Sequence, residues 1–128
     1  MKLLLDTHVA LWLFNEYENL SAAVRERLLN EANELYISIA SAWEIAIKHS
    51  LGKLPGFRGG VKRFLFAVRE YPIELLTVLP QYVETVEELP HIHRDPFDRI
   101  IIATAICEDM SIVTVDDNIR NYDVQCVW

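Results

Sequence analysis

KLLLDTHVALWL, residues 2–13, changes its period at Asp6. Up to Leu5 it is a short apolar run, the pattern of a buried strand. Beyond that point Asp6 or Thr7 can cap a helix that runs to about Phe14. Strand, acid and helix follow one another with no spare residues, and the rest of the chain repeats the theme.

Ser21 precedes a stretch in which Ala22, Val24, Leu28 and Leu29 keep helical spacing to about Ala32. Leu35–Ile39 (LYISI) is a second apolar strand. Ser41 then stands before Trp43-Glu44-Ile45-Ala46-Ile47, which predicts a second capped helix ending near Gly52. Residues 54–60 (LPGFRGG) form a Gly- and Pro-rich loop. Val61–Arg69 is helical, with Val61, Phe64, Leu65 and Val68 on one face. Ile73–Val78 is a third strand, and Pro80–Glu88 a short helix with proline in its first turn. Phe97–Met110 carries the strongest helix signal. Ser111–Val115 (SIVTV) is a β-branched strand, and Val124–Trp128 a last one. Strands alternating with helices predict an α/β fold whose mainly parallel sheet is covered on both faces.

The chain of 128 residues is the size of one domain, with no repeat and no linker to divide it, so residues 1–128 are expected to fold as a unit. Its composition is globular, 52% hydrophobic and 24% charged. Cys107 and Cys126 lie in apolar contexts and read as buried free thiols, which fits a reducing compartment. No leader pattern and no membrane-length apolar run occurs, so a cytoplasmic protein without a membrane partner is expected. The net charge of −7 argues against a general nucleic-acid binder, but the charge is unevenly spread. Between Ile45 and Arg69 there is no acid, yet six of the twelve basic residues lie there: Lys48, Lys53, Arg58, Lys62, Arg63 and Arg69. Such a stretch is either a solvated helical face or a landing strip for a polyanion.

In an open parallel sheet, sites form beyond the carboxyl ends of the strands, at the switch in strand order. Asp6 directly follows the first strand and Asp116 follows SIVTV. Glu44 sits one turn into the helix after LYISI, and Asp95 and Asp98 begin another helix. Each has a local alternative. Asp6 can be a cap, Glu44 a solvated helix residue, and Asp116 part of the turn Asp116-Asp117-Asn118. Asp95-Pro96 is good N-cap and first-turn chemistry, and it puts Asp98 where acids favour the helix dipole. That at least four acids share one rim is what these alternatives leave unexplained. Two carboxylates about 5 Å apart repel by roughly 3 kcal/mol at an effective dielectric of about 20. A hard divalent cation such as Mg²⁺ or Mn²⁺ removes that cost. It also polarises phosphoryl groups and acidifies water, which points to phosphodiester hydrolysis.

Other chemistries lack their signatures. There is no GxGxxG, no phosphate-binding GxxxxGK[ST], no CxxC or HxxxH pair and no GxSxG elbow. A phospho-receiver would need an acceptor aspartate ending the central strand and a late lysine. Tyr36–Ile39 ends without an Asp, and residues 121–128 contain no lysine.

LLLDTHVALWL (3–13), ISIASAWEIAIKHSLGKL (37–54), HRDPFDRIIIATA (93–105) and IVTVDDNIRNY (112–122) together resemble the PIN domain, in particular the VapC-like ribonucleases of toxin–antitoxin pairs. The resemblance runs almost end to end. It implies a three-layer α/β/α sandwich and Mg²⁺- or Mn²⁺-dependent cleavage of RNA. The family's four acids fall on Asp6, Glu44, Asp98 and Asp116, which are expected to be both metal-binding and catalytic. The polar residue two before the last acid falls on Thr114. Thr114, His93 and Asp95 are expected as a secondary set around the pocket, Asp95 as a cap that also adds charge. The resemblance further implies a homodimer and a small antitoxin partner. RNA backbone is expected on Lys48, Lys53, Arg58, Lys62 and Arg63. The competing expectation is a catalytically silent PIN-fold scaffold or regulatory module.

Overall fold

The computed structural model describes residues 1–128. β1 (Lys2–Leu5) leads into α1 (Thr7–Asn15), a 3-10 turn (Tyr17–Asn19) and α2 (Ala22–Leu29). β2 (Glu34–Ser38), α3 (Ile39–Ser50), α4 (Gly60–Glu70) and β3 (Ile73–Leu76) follow. The chain ends with α5 (Pro80–Glu88), α6 (Pro96–Glu108), β4 (Ser111–Val113), α7 (Asp117–Arg120) and β5 (Cys126–Val127). The five strands lie in the order β3-β2-β1-β4-β5, every neighbouring pair parallel.

The three leucines of β1 split between two cores, as the period of two in a strand requires. Leu3 and Leu5 join Ile37 and Val113 on one face, under Val9, Ala10, Ile45, Phe64 and Val68. Leu4 joins Ile112 on the other, under Ile101, Ile102, Tyr82 and Tyr122. Helices α1, α3 and α4 cover the first face, α5 and α6 the second. The expected α/β/α sandwich is therefore the observed fold. Because each connection returns antiparallel to the strands, the N-termini of α1, α3 and α6 all reach the carboxyl rim of the sheet. The order reverses between β1 and β4, the place where such folds build sites.

Local expectations shift in several places. The helix bearing Glu44 is capped by Ser38 rather than preceded by Ser41. The Ser38 hydroxyl accepts from the Ala40 N–H at 3.0 Å, and Ser41 lies buried inside the helix. Ile39-Ala40 continues the apolar run of the strand, which hides the helix start. α2 stops at Leu29, not near Ala32, because the Asn30 carboxamide accepts from the Ala32 N–H and turns the chain. β2, β3 and β4 end one or two residues early, where the chain leaves the sheet for the rim. The turn at Asp116 is wound into a four-residue helix, α7. Both cysteines are free, as expected, but half-buried rather than buried. No helix is long and apolar enough to cross a membrane.

At the basic loop, Gly59 and Gly60 start α4 with φ of 87° and 62°. A Cβ on Gly60 would stand 2.9 Å from the His49 ring. The loop between α3 and α4 can therefore close only on glycine there.

Candidate active site

Asp6 follows β1 and caps α1, its Oδ1 accepting from the Val9 N–H at 2.9 Å. Leu5 pairs with Val113 across the switch point, so the next residues, Asp6 and Thr114, face each other. The Thr114 hydroxyl donates to Asp6 Oδ2, and Thr114 Oγ1 in turn accepts from the Asp116 N–H at 3.0 Å. Burial raises the pKa of Asp6. The bonds from Thr114 and Val9 and the nearby His8 work against that rise, and the charge of Asp116 adds to it. A cap needs only a carboxylate in water. This one is 4% exposed and stands beside a second acid.

Glu44 is the least solvated acid of the set, at 2% exposure, which removes the reading of an ordinary solvated helix residue. Its Oε1 accepts from the Thr7 hydroxyl at 2.7 Å, with Ser41 Oγ 2.9 Å from the same Thr7 oxygen. Its Oε2 holds the Lys48 ammonium at 2.5 Å, one helical turn on. Partial burial alone would lower the pKa of Lys48. The bond to Glu44 and the charges of Glu44, Asp95 and Asp98 outweigh it, and the ammonium is held charged.

Asp95 caps α6: its Oδ1 accepts from the N–H groups of Phe97 at 2.9 Å and Asp98 at 3.1 Å. Asp98, on the third position of the helix, turns its Oδ2 to His93 Nε2 at 3.0 Å. Its pKa is pushed up to about 6, first by burial, then by the charges of Asp95, Asp116 and Glu44, with the His93 bond opposing the rise. Asp116 caps α7 through the Asn118 N–H at 2.8 Å.

The structure thus gathers Asp6, Glu44, Asp98 and Asp116, with Thr114, Asp95 and His93 around them, at the switch point. Of the five basic residues expected to meet RNA, only Lys48 enters this pocket. Arg63 lies over the Phe57 ring at 5.0 Å and donates to the Arg58 carbonyl at 3.0 Å. These two arginines flank a shallow depression with Asn15, Gly56 and Gly59. Lys53 and Lys62 are exposed nearby in sequence. Three participants were not expected at the site: Ser41, whose position in the sequence suggested only a helix start, and Arg99 and Tyr122, which gave no local signal. The buried Arg99 donates to Tyr122 Oη at 2.9 Å, and Tyr122 Oη lies 2.8 Å from His93 Nδ1.

No three acid, histidine or cysteine side chains converge on a common point at ligand distance. Each carboxylate is engaged by a donor of the chain: Asp6 by Thr114, Glu44 by Lys48, Asp98 by His93 and Asp116 by the Asn118 N–H. The donor set still fits a hard divalent cation. All four acids offer oxygen, one of them is lifted to about 6 by burial and its neighbours' charge, and a single ammonium answers them.

A family model described as PIN domain matches residues 3–125. The chain is 31% identical over 120 residues to Ribonuclease VapC22 of Mycobacterium tuberculosis, covering 93% of this chain and 90% of that protein. Among solved structures it superposes on VapBC2 from Rickettsia felis, bound to a DNA fragment from its promoter, with a TM-score of 0.74 and 18% identity. That match covers 99% of this chain and 98% of the other. DNA-bound VapBC from Salmonella typhimurium follows at a TM-score of 0.67 and 20% identity, covering 99% and 97%.

Proposed function

The chain belongs to the PIN domain family, and on that premise we propose that it is an endoribonuclease that hydrolyses RNA phosphodiester bonds at its acidic rim with Mg²⁺ or Mn²⁺. The observation that carries this reading is the charge at the switch point. Burial, and after it the charges of Asp95, Asp116 and Glu44, raises Asp98 to about 6, and burial raises Asp6, with the charge of Asp116 adding to it. A fold that only needed caps would not gather these acids.

Asp6, Glu44, Asp98 and Asp116 would hold the cation, which when bound would acidify a water and polarise the phosphoryl group. The protein's own contribution is positioning. Thr114 fixes one oxygen of Asp6, Thr7 one oxygen of Glu44, and His93 one oxygen of Asp98. Lys48 pairs with Glu44, and it would be free to meet a substrate phosphate if Glu44 instead helped to hold a cation. The remaining basic residues, Lys53, Arg58, Lys62 and Arg63, lie on one stretch after α3 and would take the RNA backbone farther from the cut.

The partner in this reading is a cognate small antitoxin. Its support is that the superposed structures are VapBC assemblies and the relative from Mycobacterium tuberculosis carries the name ribonuclease. A homodimer working in the cytoplasm completes the proposal by family analogy. The test is cleavage of RNA with Mg²⁺ or Mn²⁺, with EDTA, and with Asp6→Asn. Activity that survives both EDTA and the substitution would overturn the metal mechanism. A wild-type protein inert with every cation would favour the silent scaffold.

A further inference from the structure

Arg99 is buried, and its guanidinium spends its donors on the carbonyls of Pro90 at 2.8 Å, Val86 at 3.2 Å and Leu89 at 3.4 Å, and on Tyr122 Oη at 2.9 Å. Arginine can only donate, so the phenol oxygen must accept. The His93 N–H also points at that oxygen, at 3.3 Å. With two donors arriving, the phenol's single proton has two acceptors in range: His93 Nδ1 at 2.8 Å and the His93 carbonyl at 3.5 Å. The shorter contact takes it. Nδ1 is therefore an acceptor, and the ring proton sits on Nε2, aimed at Asp98 Oδ2 at 3.0 Å. The opposite tautomer would put a third donor on the phenol oxygen and a bare nitrogen against the carboxylate.

We infer that Tyr122, anchored by Arg99, is a positioning residue that locks His93 in its Nε2–H form as a hydrogen-bond donor to Asp98. The chain of contacts joins α7's C-terminal turn, the segment before α6 and α6 itself. Its purpose in the nuclease, which rests on the proposed function, is to fix Asp98 with one oxygen taken and the other presented to the pocket. Tyr122 does not reach the acids itself and acts only through the imidazole.

The test uses the whole chain, because Arg99 also ties down three carbonyls and its loss would be read as unfolding. Tyr122→Phe keeps the ring and removes the hydroxyl. In the metal-free, ¹⁵N-labelled protein, long-range proton–nitrogen spectra should show His93 as the pure Nε2–H tautomer, identified by the signal that His93→Ala removes. Tyr122→Phe should convert that signal to a mixture of tautomers. Mn²⁺ affinity should fall about tenfold in Tyr122→Phe, the order found when a group supporting a metal ligand is removed. In a His93→Ala background the same Tyr122 change should cost nothing more. His93→Gln, whose amide can donate to Asp98 unaided, should recover affinity and be indifferent to residue 122. An Nδ1–H tautomer in the wild type, an unchanged tautomer in Tyr122→Phe, or additive losses in the double variant would overturn the relay. A wild type that binds no Mn²⁺ would instead sink the nuclease reading, and the tautomer spectra would still decide the relay.

Discussion

Thr114 donates its hydroxyl proton to Asp6 while accepting the backbone N–H of Asp116, so one side chain ties together two acids that follow adjacent strands. The parallel register sets this up: once Leu5 pairs with Val113, the following residues must meet. The hydroxyl also works against the burial that raises Asp6.

Thr114→Val keeps the shape and removes the donor. Asp6 should then become harder to ionise, and cleavage should fall by about 10- to 100-fold, the usual scale for a group that orients a ligand. Thr114→Ser restores the hydroxyl and should keep most of the rate. Single-turnover cleavage across Mn²⁺ concentrations separates the two variants. Equal losses in both would assign Thr114 to packing alone.

Asp95 and Asp98 divide the start of α6 between them. Asp95 spends one oxygen on two backbone N–H groups, and asparagine makes the same cap. Asp98 faces the other acids and His93. Asp98→Asn should abolish cleavage with the fold intact by circular dichroism, whereas Asp95→Asn should cost less than about tenfold. Two equally inactive proteins would show that Asp95 does more than cap and add charge.

The carboxylate of Asp98 also gives a signed pH dependence. Its pKa is 3.8 in the unfolded reference and about 6 in the folded chain. Between those values the native state binds more protons, so this group's contribution to stability falls as pH rises. The penalty is absent below 3.8 and complete above about 6. In EDTA, the urea midpoint of the wild type should therefore drop relative to that of Asp98→Asn between pH 4 and 6.5. Mn²⁺ should stabilise the wild type more at pH 7.5 than at pH 5. Parallel pH curves for the two proteins would remove the assignment.

The alternation of apolar runs and helical stretches made the sheet legible, because a parallel strand buried on both faces needs no partner pattern to be recognised. The rim acids were legible for the same reason: Asp6 and Asp116 stand at the abrupt end of an apolar run. What the linear order concealed is held by contacts across distance. Ser41 meets Thr7 from a neighbouring helix, and Tyr122 reaches His93 from the end of a four-residue helix. Lys48 looked like one member of a basic stretch, yet helical spacing to Glu44 turns it inward while Lys53 and Lys62 stay outside.

Lys48 therefore has a use that the other basic residues lack. It is the only ammonium on a carboxylate that is 2% exposed. The exposed end of the pair contributes little, but removing it strands Glu44 with Thr7 alone. Lys48→Met should lower the melting temperature in EDTA by several degrees, since about 1 kcal/mol shifts a domain of this size by roughly 2–8 °C. Saturating Mn²⁺ should erase most of that difference, because a cation would serve Glu44 in place of the ammonium. A deficit of the same size with and without Mn²⁺ would mean that the ion does not use Glu44.

The outer basic residues lend themselves to a cleaner binding test. Arg63 stacks on Phe57 and holds the Arg58 carbonyl, so its reversal would disturb the loop as well as the charge. Lys53, Arg58 and Lys62 are exposed, and their side chains make no hydrogen bond or ion pair within the chain. Replacing these three by Glu in an Asp98→Asn background separates binding from cleavage. Single-stranded RNA should bind more weakly at low salt. The slope of log K against log salt should flatten by about 0.7 for each phosphate that the protein no longer neutralises. The melting temperature should change little, as surface substitutions of this kind stay within about 0.5 kcal/mol. Unchanged affinity and slope would remove these three from the path of the RNA and leave Lys48 and Arg63 as the basic contacts among the five candidates.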